Sequence, residues 1–275
     1  MNKTPRLSKS GIEYLDCSWG IFSGCHNIQL GICPIEACWA KSMTKRFPNH
    51  YPKGFEPTFY PDALDSPLHL RKPSLIGVGW VGDVVGYGLD CKGKIYATIE
   101  QCHWHTFLFL TKNPQNLAKW SPFPDNCWVG VTATNYAMAA NARKYLGEIK
   151  APIKFLSLEP LLSPITDKNG LPFRFERGMS DIDWVIIGAQ TKPTVYPRIE
   201  WVREIVEAAD KAGVPVFLKD NLRSLIDANC PDESKLVPNH NPLFRMKHPT
   251  LCEGCEGKHC HACGVVWGMR QEMPA

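Results

Sequence analysis

The chain has 275 residues, 44% of them hydrophobic, twelve cysteines and a formal charge of +4 at neutral pH. A chain of this length buries one large core without disulfide staples, and so small a net charge does not by itself argue for nucleic acid. No run of about 18 apolar residues occurs, and the opening Met1-Asn2-Lys3-Thr4-Pro5-Arg6 leads into no apolar stretch, so neither membrane insertion nor export is expected. The expected location is the cytoplasm, where cysteines read as metal ligands and buried apolar positions rather than disulfides.

In chain order, a weak β-rich run at Glu13-Tyr14-Leu15-Asp16-Cys17 precedes a loop holding Cys25, Cys33 and Cys38. Three thiolates are one ligand short of closing a cubane iron–sulfur cluster, and the iron left open is what radical S-adenosylmethionine chemistry requires. Cys17 is a possible fourth thiolate, but a free cysteine ending a strand is better read as core. Lys41, Lys45, Arg46 and Lys53 follow the third cysteine as a loose basic cluster, read as a solvated helix face.

Beyond the loop, short apolar runs at 75–81, 106–110, 127–131, 153–158, 184–188 and 214–218 read as strands. Helical spacing lies between them at Tyr136 to Ile149 and at Glu200 to Ala212, where Val202, Ile205, Val206 and Ala209 make one stripe. Near-continuous apolar strands alternating with helices predict an α/β fold with a parallel sheet, and six or seven units point to a closed or partly open barrel rather than a flat sheet, a doubly wound sheet being the alternative. Asp83, Lys112, Thr132, Thr134, Asn135, Glu159, Gln190, Lys219 and Asp220 each follow a strand. In a barrel these positions gather at the carboxyl-end rim, where functional groups converge. Asp83, Thr134 and Asp220 are also plausible helix caps, whereas Lys112, Glu159 and Lys219 are poor ones.

The first domain is therefore expected over 1–230, with its cluster loop at 25–38, and a linker and metal-binding tail over 231–275. In that tail Cys252, Cys255, Cys260 and Cys263 form a C-x2-C-x4-C-x2-C array able to wrap one metal centre. Zinc and a second iron–sulfur cluster both suit these ligands. Cys91, Cys102, Cys127 and Cys230 stand alone and read as core, as do the strand aromatics Trp80, Trp104, Trp128 and Phe109.

Trp19, Gly24-Cys25, Cys38-Trp39-Ala40, Leu64, Pro67, Gly82-Asp83, Leu110-Thr111-Lys112, Gly130-Val131, Ser157-Leu158-Glu159-Pro160-Leu161-Leu162, Asp183-Trp184-Val185-Ile186-Ile187-Gly188 and Phe217-Leu218-Lys219 carry a resemblance. In this order they resemble a phage-associated family of uncharacterised function that is similar to a branch of the radical S-adenosylmethionine enzymes. The resemblance implies a partial (β/α) barrel of that type, a [4Fe-4S] cluster in the first βα loop and S-adenosylmethionine across the rim. The seven residues between Cys25 and Cys33 and four between Cys33 and Cys38 are wider than usual for such enzymes, which loop closure tolerates because its cost grows logarithmically.

On this reading Lys112, then Lys219, is the candidate partner of the cofactor carboxylate. Glu159 or Asn135 would meet the ribose, Gly82 the amino group, and Thr132 the same nucleoside. Asp83 and Lys219 are the candidate catalytic groups. The expected product is a 5′-deoxyadenosyl radical, acting on a substrate of unknown identity such as a nucleic acid or nucleotide. The expected partners are an electron donor such as flavodoxin or ferredoxin and a separately encoded protein, with no membrane. The alternative is a non-catalytic zinc-stabilised nucleic-acid-binding module in which both cysteine groups are structural.

Overall fold

Apolar runs without polar alternation become strands covered on both faces. In the computed structural model, which describes residues 7–33, 38–170, 173, 182–229, 244–246 and 267–274, such runs assemble one large sheet. Its strands are β1 (Leu7–Lys9), β2 (Cys17–Trp19), β3 (Leu75–Val78), β4 (Thr106–Thr111), β5 (Cys127–Thr132), β6 (Ile153–Leu158), β7 (Trp184–Ile187) and β8 (Val216–Leu218). They stand side by side in chain order; β1 is antiparallel to β2 and every later pair is parallel. The connections carry α1 (Trp39–Arg46), α2 (Val84–Tyr87), α3 (Lys92–Gln101), α4 (Leu117–Trp120), α5 (Tyr136–Gly147) and α6 (Ile199–Ala212), and α7 (Arg223–Asn229) follows β8.

Two of the expected runs behave differently. Residues 12–15 form a turn, closed by the Leu15 N–H donating to the Ile12 carbonyl at 3.0 Å, because Tyr14 and Leu15 are drawn into a core under the sheet. The run at 75–81 is broken at Gly79, whose φ of 65° no strand tolerates, so Val81–Gly82 pairs in a separate small sheet.

Side chains alternate across a strand, and the two faces bury different cores. Phe107, Phe109, Val129, Val131, Leu156, Leu158, Val185 and Ile187 join the apolar stripes of the helices, including Val202, Ile205, Val206 and Ala209 of α6. The intervening residues Leu108, Phe155, Trp184, Ile186 and Phe217 form a second cluster with Tyr14 and Leu15. There the Tyr14 ring meets Trp184 at 5.4 Å and Phe217 at 5.3 Å, both edge-on, a favoured aromatic geometry. This plug fills the second face up to Leu108 and Ile186. Beyond it toward the carboxyl ends come Thr132, Ser157, Glu159, Gly188 and Lys219 on that same face.

The free edge of β8 is bordered by the last described residues. Phe217 bridges Gln271 antiparallel, the Leu218 N–H donates to the Arg270 carbonyl at 2.8 Å, and the Glu272 N–H donates to the Val216 carbonyl at 3.0 Å. Arg270 is 3% exposed and meets Asp210 at 2.7 Å and Glu272 at 2.6 Å. The region expected as linker and metal module thus returns to the sheet at its end. Phe244–Met246 and Trp267–Met269 pair antiparallel, while Cys252, Cys255, Cys260 and Cys263 lie outside the described residues, as does Cys230. No helix among the described residues is long and apolar enough to cross a membrane.

Candidate active site

Backbone pairing places the first cysteine. After β2 the short strand Phe22–Gly24 pairs in parallel with Val81–Gly82, setting Gly24 opposite Gly82. A Cβ on Gly82 would lie 2.6 Å from the backbone nitrogen and oxygen of Gly24, so the two chains approach this closely only where the side chain is missing. Cys25 thereby emerges beside Asp83.

Asp83 is the hub that holds the cysteine loop to the sheet. It is 4% exposed, and its Oδ2 accepts hydrogen bonds from Asn27 Nδ2 at 2.8 Å, Thr111 Oγ1 at 3.0 Å and the Lys112 N–H at 3.1 Å. Its Oδ1 accepts the Gly86 N–H at 2.9 Å, capping α2. Asn27 continues the network, its Oδ1 accepting from the Tyr87 hydroxyl at 2.8 Å and its carbonyl from the N–H groups of Ile32 and Cys33. One carboxyl group therefore ties β4, α2 and the turn carrying Cys33 together.

A cavity of about 400 Å³, within the size range of small-molecule sites, opens at the carboxyl ends of the strands. Cys25, Cys33 and Cys38 line it together with Gly82, Asp83, Lys112, Thr132, Ser157, Glu159 and Lys219, among others. Asn135, expected at the cofactor, is not among the lining residues: its Oδ1 accepts the Met138 N–H at 3.0 Å and caps α5. Cys17 does not reach the cavity either and packs at the start of β2 against the main core. Cys91, Cys102 and Cys127 are buried, Phe109 and Trp104 pack with the main core, and Trp128 packs on the aromatic plug. Trp80 lines the cavity.

The two rim lysines differ in their pairing. Lys219, 8% exposed, meets Glu159 at 2.6 Å and Glu13 at 3.4 Å, with the Tyr14 ring centroid 5.9 Å away. Burial lowers its proton affinity, but the carboxylates of Glu159 and Glu13 outweigh it and hold the ammonium above the ordinary lysine range. Beneath the pair lies Gly188, where a Cβ would come within 3.1 Å of Glu159 and 3.2 Å of Lys219. Lys112 donates its backbone N–H to Asp83, and its ammonium forms no ion pair among the described residues.

The donor set fits a cluster held by three thiolates. Among the described residues no three cysteine, histidine or carboxylate groups converge as a single ion would need. A cubane instead engages each thiolate at a different iron, so three thiolates lining one cavity need not converge on a point. Burial pushes the Cys25 thiol up to about 11, against a lowering backbone hydrogen bond at Asn27 and with Asp83, Cys38 and Cys33 adding to the rise. Without positive charge beside it this sulfur keeps its proton. Ser157 Oγ and Trp80 Nε1, both buried and both on the cavity wall, have no hydrogen-bond partner among the described residues. Buried polar atoms are nearly always paired, so two such orphans in residues that line the cavity are an unmet polar demand at the site.

Sequence reasoning missed Glu13, Tyr14, Asn27 and Lys192. Glu13 and Tyr14 read as part of a strand, and Asn27 lies inside a loop whose only chemical signature is its cysteines. Lys192 lines the cavity from the turn between Gln190–Thr191 and Thr194–Val195. No local pattern marks any of them.

Residues 9–226 match the family described as protein of unknown function (DUF5131). No curated protein matches the chain. A solved structure of spore photoproduct lyase complexed with dinucleoside spore photoproduct aligns at 10% identity and a TM-score of 0.42, covering 90% of this chain and 69% of the other.

Proposed function

We propose that the chain, which belongs to the family of proteins of unknown function DUF5131, is a radical S-adenosylmethionine enzyme. One observation carries the reading: three free cysteines of a single loop share a cavity with the polar ends of the parallel strands. When bound, the [4Fe-4S] cluster supplies one electron and S-adenosylmethionine the 5′-deoxyadenosyl radical which that electron releases. Cys25, Cys33 and Cys38 hold the cluster. Lys112, which follows β4 and forms no ion pair among the described residues, takes the cofactor carboxylate. Thr132 and the orphaned Ser157 hydroxyl offer hydrogen bonds to its polar groups. Glu159, fixed by Lys219, accepts from a hydroxyl, and Asp83 positions the loop and the Lys112 backbone.

The same reading makes the sheet a partial (β/α) barrel. Flat, β3 and β8 would stand roughly 24 Å apart, five strand spacings, yet residues following both line one cavity of about 400 Å³. Curling brings them together and shelters the aromatic plug from water.

Anaerobic reconstitution tests the proposal. The wild-type chain should bind about four irons at the 25–38 loop and, with a reductant and S-adenosylmethionine, release 5′-deoxyadenosine. The Cys25→Ala, Cys33→Ala and Cys38→Ala variants should do neither. Iron-free protein after reconstitution, or iron retained in the triple variant with no nucleoside released by wild type, refutes it.

A further inference from the structure

The lip of the cavity has a chemistry that the cluster and its cofactor do not use. Trp39, the first residue of α1, is 51% exposed and lines the cavity. Ala40 and Thr44 are the buried face of this helix, so Trp39, Ser42 and the Lys45–Arg46 turn lie on the opposite, solvent side. Lys41 and, beyond the helix, Lys53 add to the charge. From Trp39 to Phe55 the sequence holds four lysine or arginine residues and no aspartate or glutamate. None of these four cations forms an ion pair with a described residue. The first acid, Glu56, is already near His26 at 3.5 Å. Phe47, also exposed, carries the Arg46 guanidinium 5.4 Å from its ring centroid.

The helix dipole accounts for Lys45 and Arg46 in the last turn. It accounts neither for an indole left in water at the cavity mouth nor for Lys53 and the missing acids. An exposed aromatic face on the same helix as unpaired cations is what a single-stranded nucleic acid engages, bases stacking on the ring and phosphates on the cations. An acidic peptide would satisfy the cations and leave the indole unused. A base paired within a duplex cannot enter the recess that Trp39 borders.

We infer that α1 and the segment through Lys53 form a docking strip for a single-stranded nucleic acid, with Trp39 stacking the nucleotide presented to the cavity. This rests on the proposed function only in taking the cavity as the reaction site. Binding is measured by fluorescence anisotropy of a labelled oligothymidylate of about 16 nucleotides, on full-length protein before and after cluster reconstitution. A duplex of equal length and polyglutamate serve as competitors. Trp39→Ala should weaken binding about tenfold with the salt dependence unchanged. The Lys45→Glu/Arg46→Glu variant should flatten the logarithmic salt slope by at least about 1.4, two phosphate contacts' worth on a single strand. That double variant lies outside the cavity and should load iron as wild type does.

No binding at low salt, or binding indifferent to both variants, overturns the inference. Equal competition by polyglutamate reassigns the strip to an acidic protein, and equal competition by the duplex with no effect of Trp39→Ala reassigns it to general polyanion contact; either overturns it too. Oligonucleotide binding by a protein that loads no iron sinks the radical reading alone. Iron loading and nucleoside release without oligonucleotide binding sink the docking strip alone.

Discussion

Removing the Asp83 side chain should release the cysteine loop from the sheet. Asp83→Ala deletes four accepted hydrogen bonds at once. Losing the cap on α2 costs about 1 kcal/mol, and each of the three donors aimed at Oδ2 costs about 1–3 kcal/mol if left dry. The sum spans roughly 4–10 kcal/mol, and because Asp83 borders the cavity, water can reach some of these donors. The lower end, about 4 kcal/mol, is therefore expected. Asp83→Asn retains one oxygen for the three donors but turns its amide toward the Gly86 N–H, so it loses little beyond the cap, about 1–2 kcal/mol. In urea unfolding followed by tryptophan fluorescence, a slope of about 3 kcal/mol/M puts the Asp83→Ala midpoint about 1.3 M below wild type. The Asp83→Asn midpoint should fall about a quarter to a half as far. Thiol labelling below the transition should accelerate in Asp83→Ala, because Asn27, which orients Cys33 through its carbonyl, has lost its anchor. Equal effects of the two substitutions, or an Asp83→Ala chain within about 1 kcal/mol of wild type, would refute the hub.

Lys219→Met leaves Glu13 and Glu159 facing one another and should cost about 3–5 kcal/mol in denaturant unfolding, more than Glu159→Gln, which leaves Lys219 its contact with Glu13. Because the folded state holds the Lys219 proton above the unfolded lysine value near ~10.4, its contribution is complete below that pH and is lost above it. The stability gap between wild type and Lys219→Met should accordingly shrink in alkaline unfolding curves and stay constant from neutrality to about pH 9. Gly82→Ala forces a Cβ against the Gly24 backbone and should destabilise the chain by about 2 kcal/mol or more, whereas Gly93→Ala, which meets nothing, should be neutral or slightly stabilising in the same melt. Cys17→Ala should keep full iron content after reconstitution, since Cys17 lies off the cavity; iron loss equal to that of Cys25→Ala would make it a ligand.

The fold was most legible where one physical signal dominated. The run at 153–158, with Ile153, Phe155, Leu156 and Leu158 apolar, forms a strand over those same residues, and the stripe of Val202, Ile205, Val206 and Ala209 is the buried face of α6. Misreadings came where tertiary contacts overrode a local pattern. The residues around Tyr14 carry strand propensity, yet burying that ring against Trp184 and Phe217 removes more apolar surface from water than an extra strand residue would. β1 is three residues long with no alternation to see, and the end of the tail reveals its place only through backbone pairing with β8. For Asn135 a signal was present and passed over: an asparagine just after a strand and opening an alanine-rich helical stretch is a strong helix cap, and it spends its oxygen there.

The two rim lysines show what spacing alone could not decide. Each follows a parallel strand, and from the sequence either one suits an anionic ligand. Their difference is set by Glu13, which contacts Lys219 across 206 positions of chain only because the turn after β1 folds beneath the aromatic plug. With two carboxylates within 4 Å, Lys219 already has its counter-charge, and recruiting it to another anion means breaking a contact of 2.6 Å in a buried setting. Lys112 has no described ion-pair partner to give up, and its backbone is pinned by Asp83, the same group that fixes the cysteine loop. Of the two lysines, the one free to meet an incoming carboxylate is thus positioned by the hub that also holds the turn carrying Cys33, so a change at Asp83 should disturb both together.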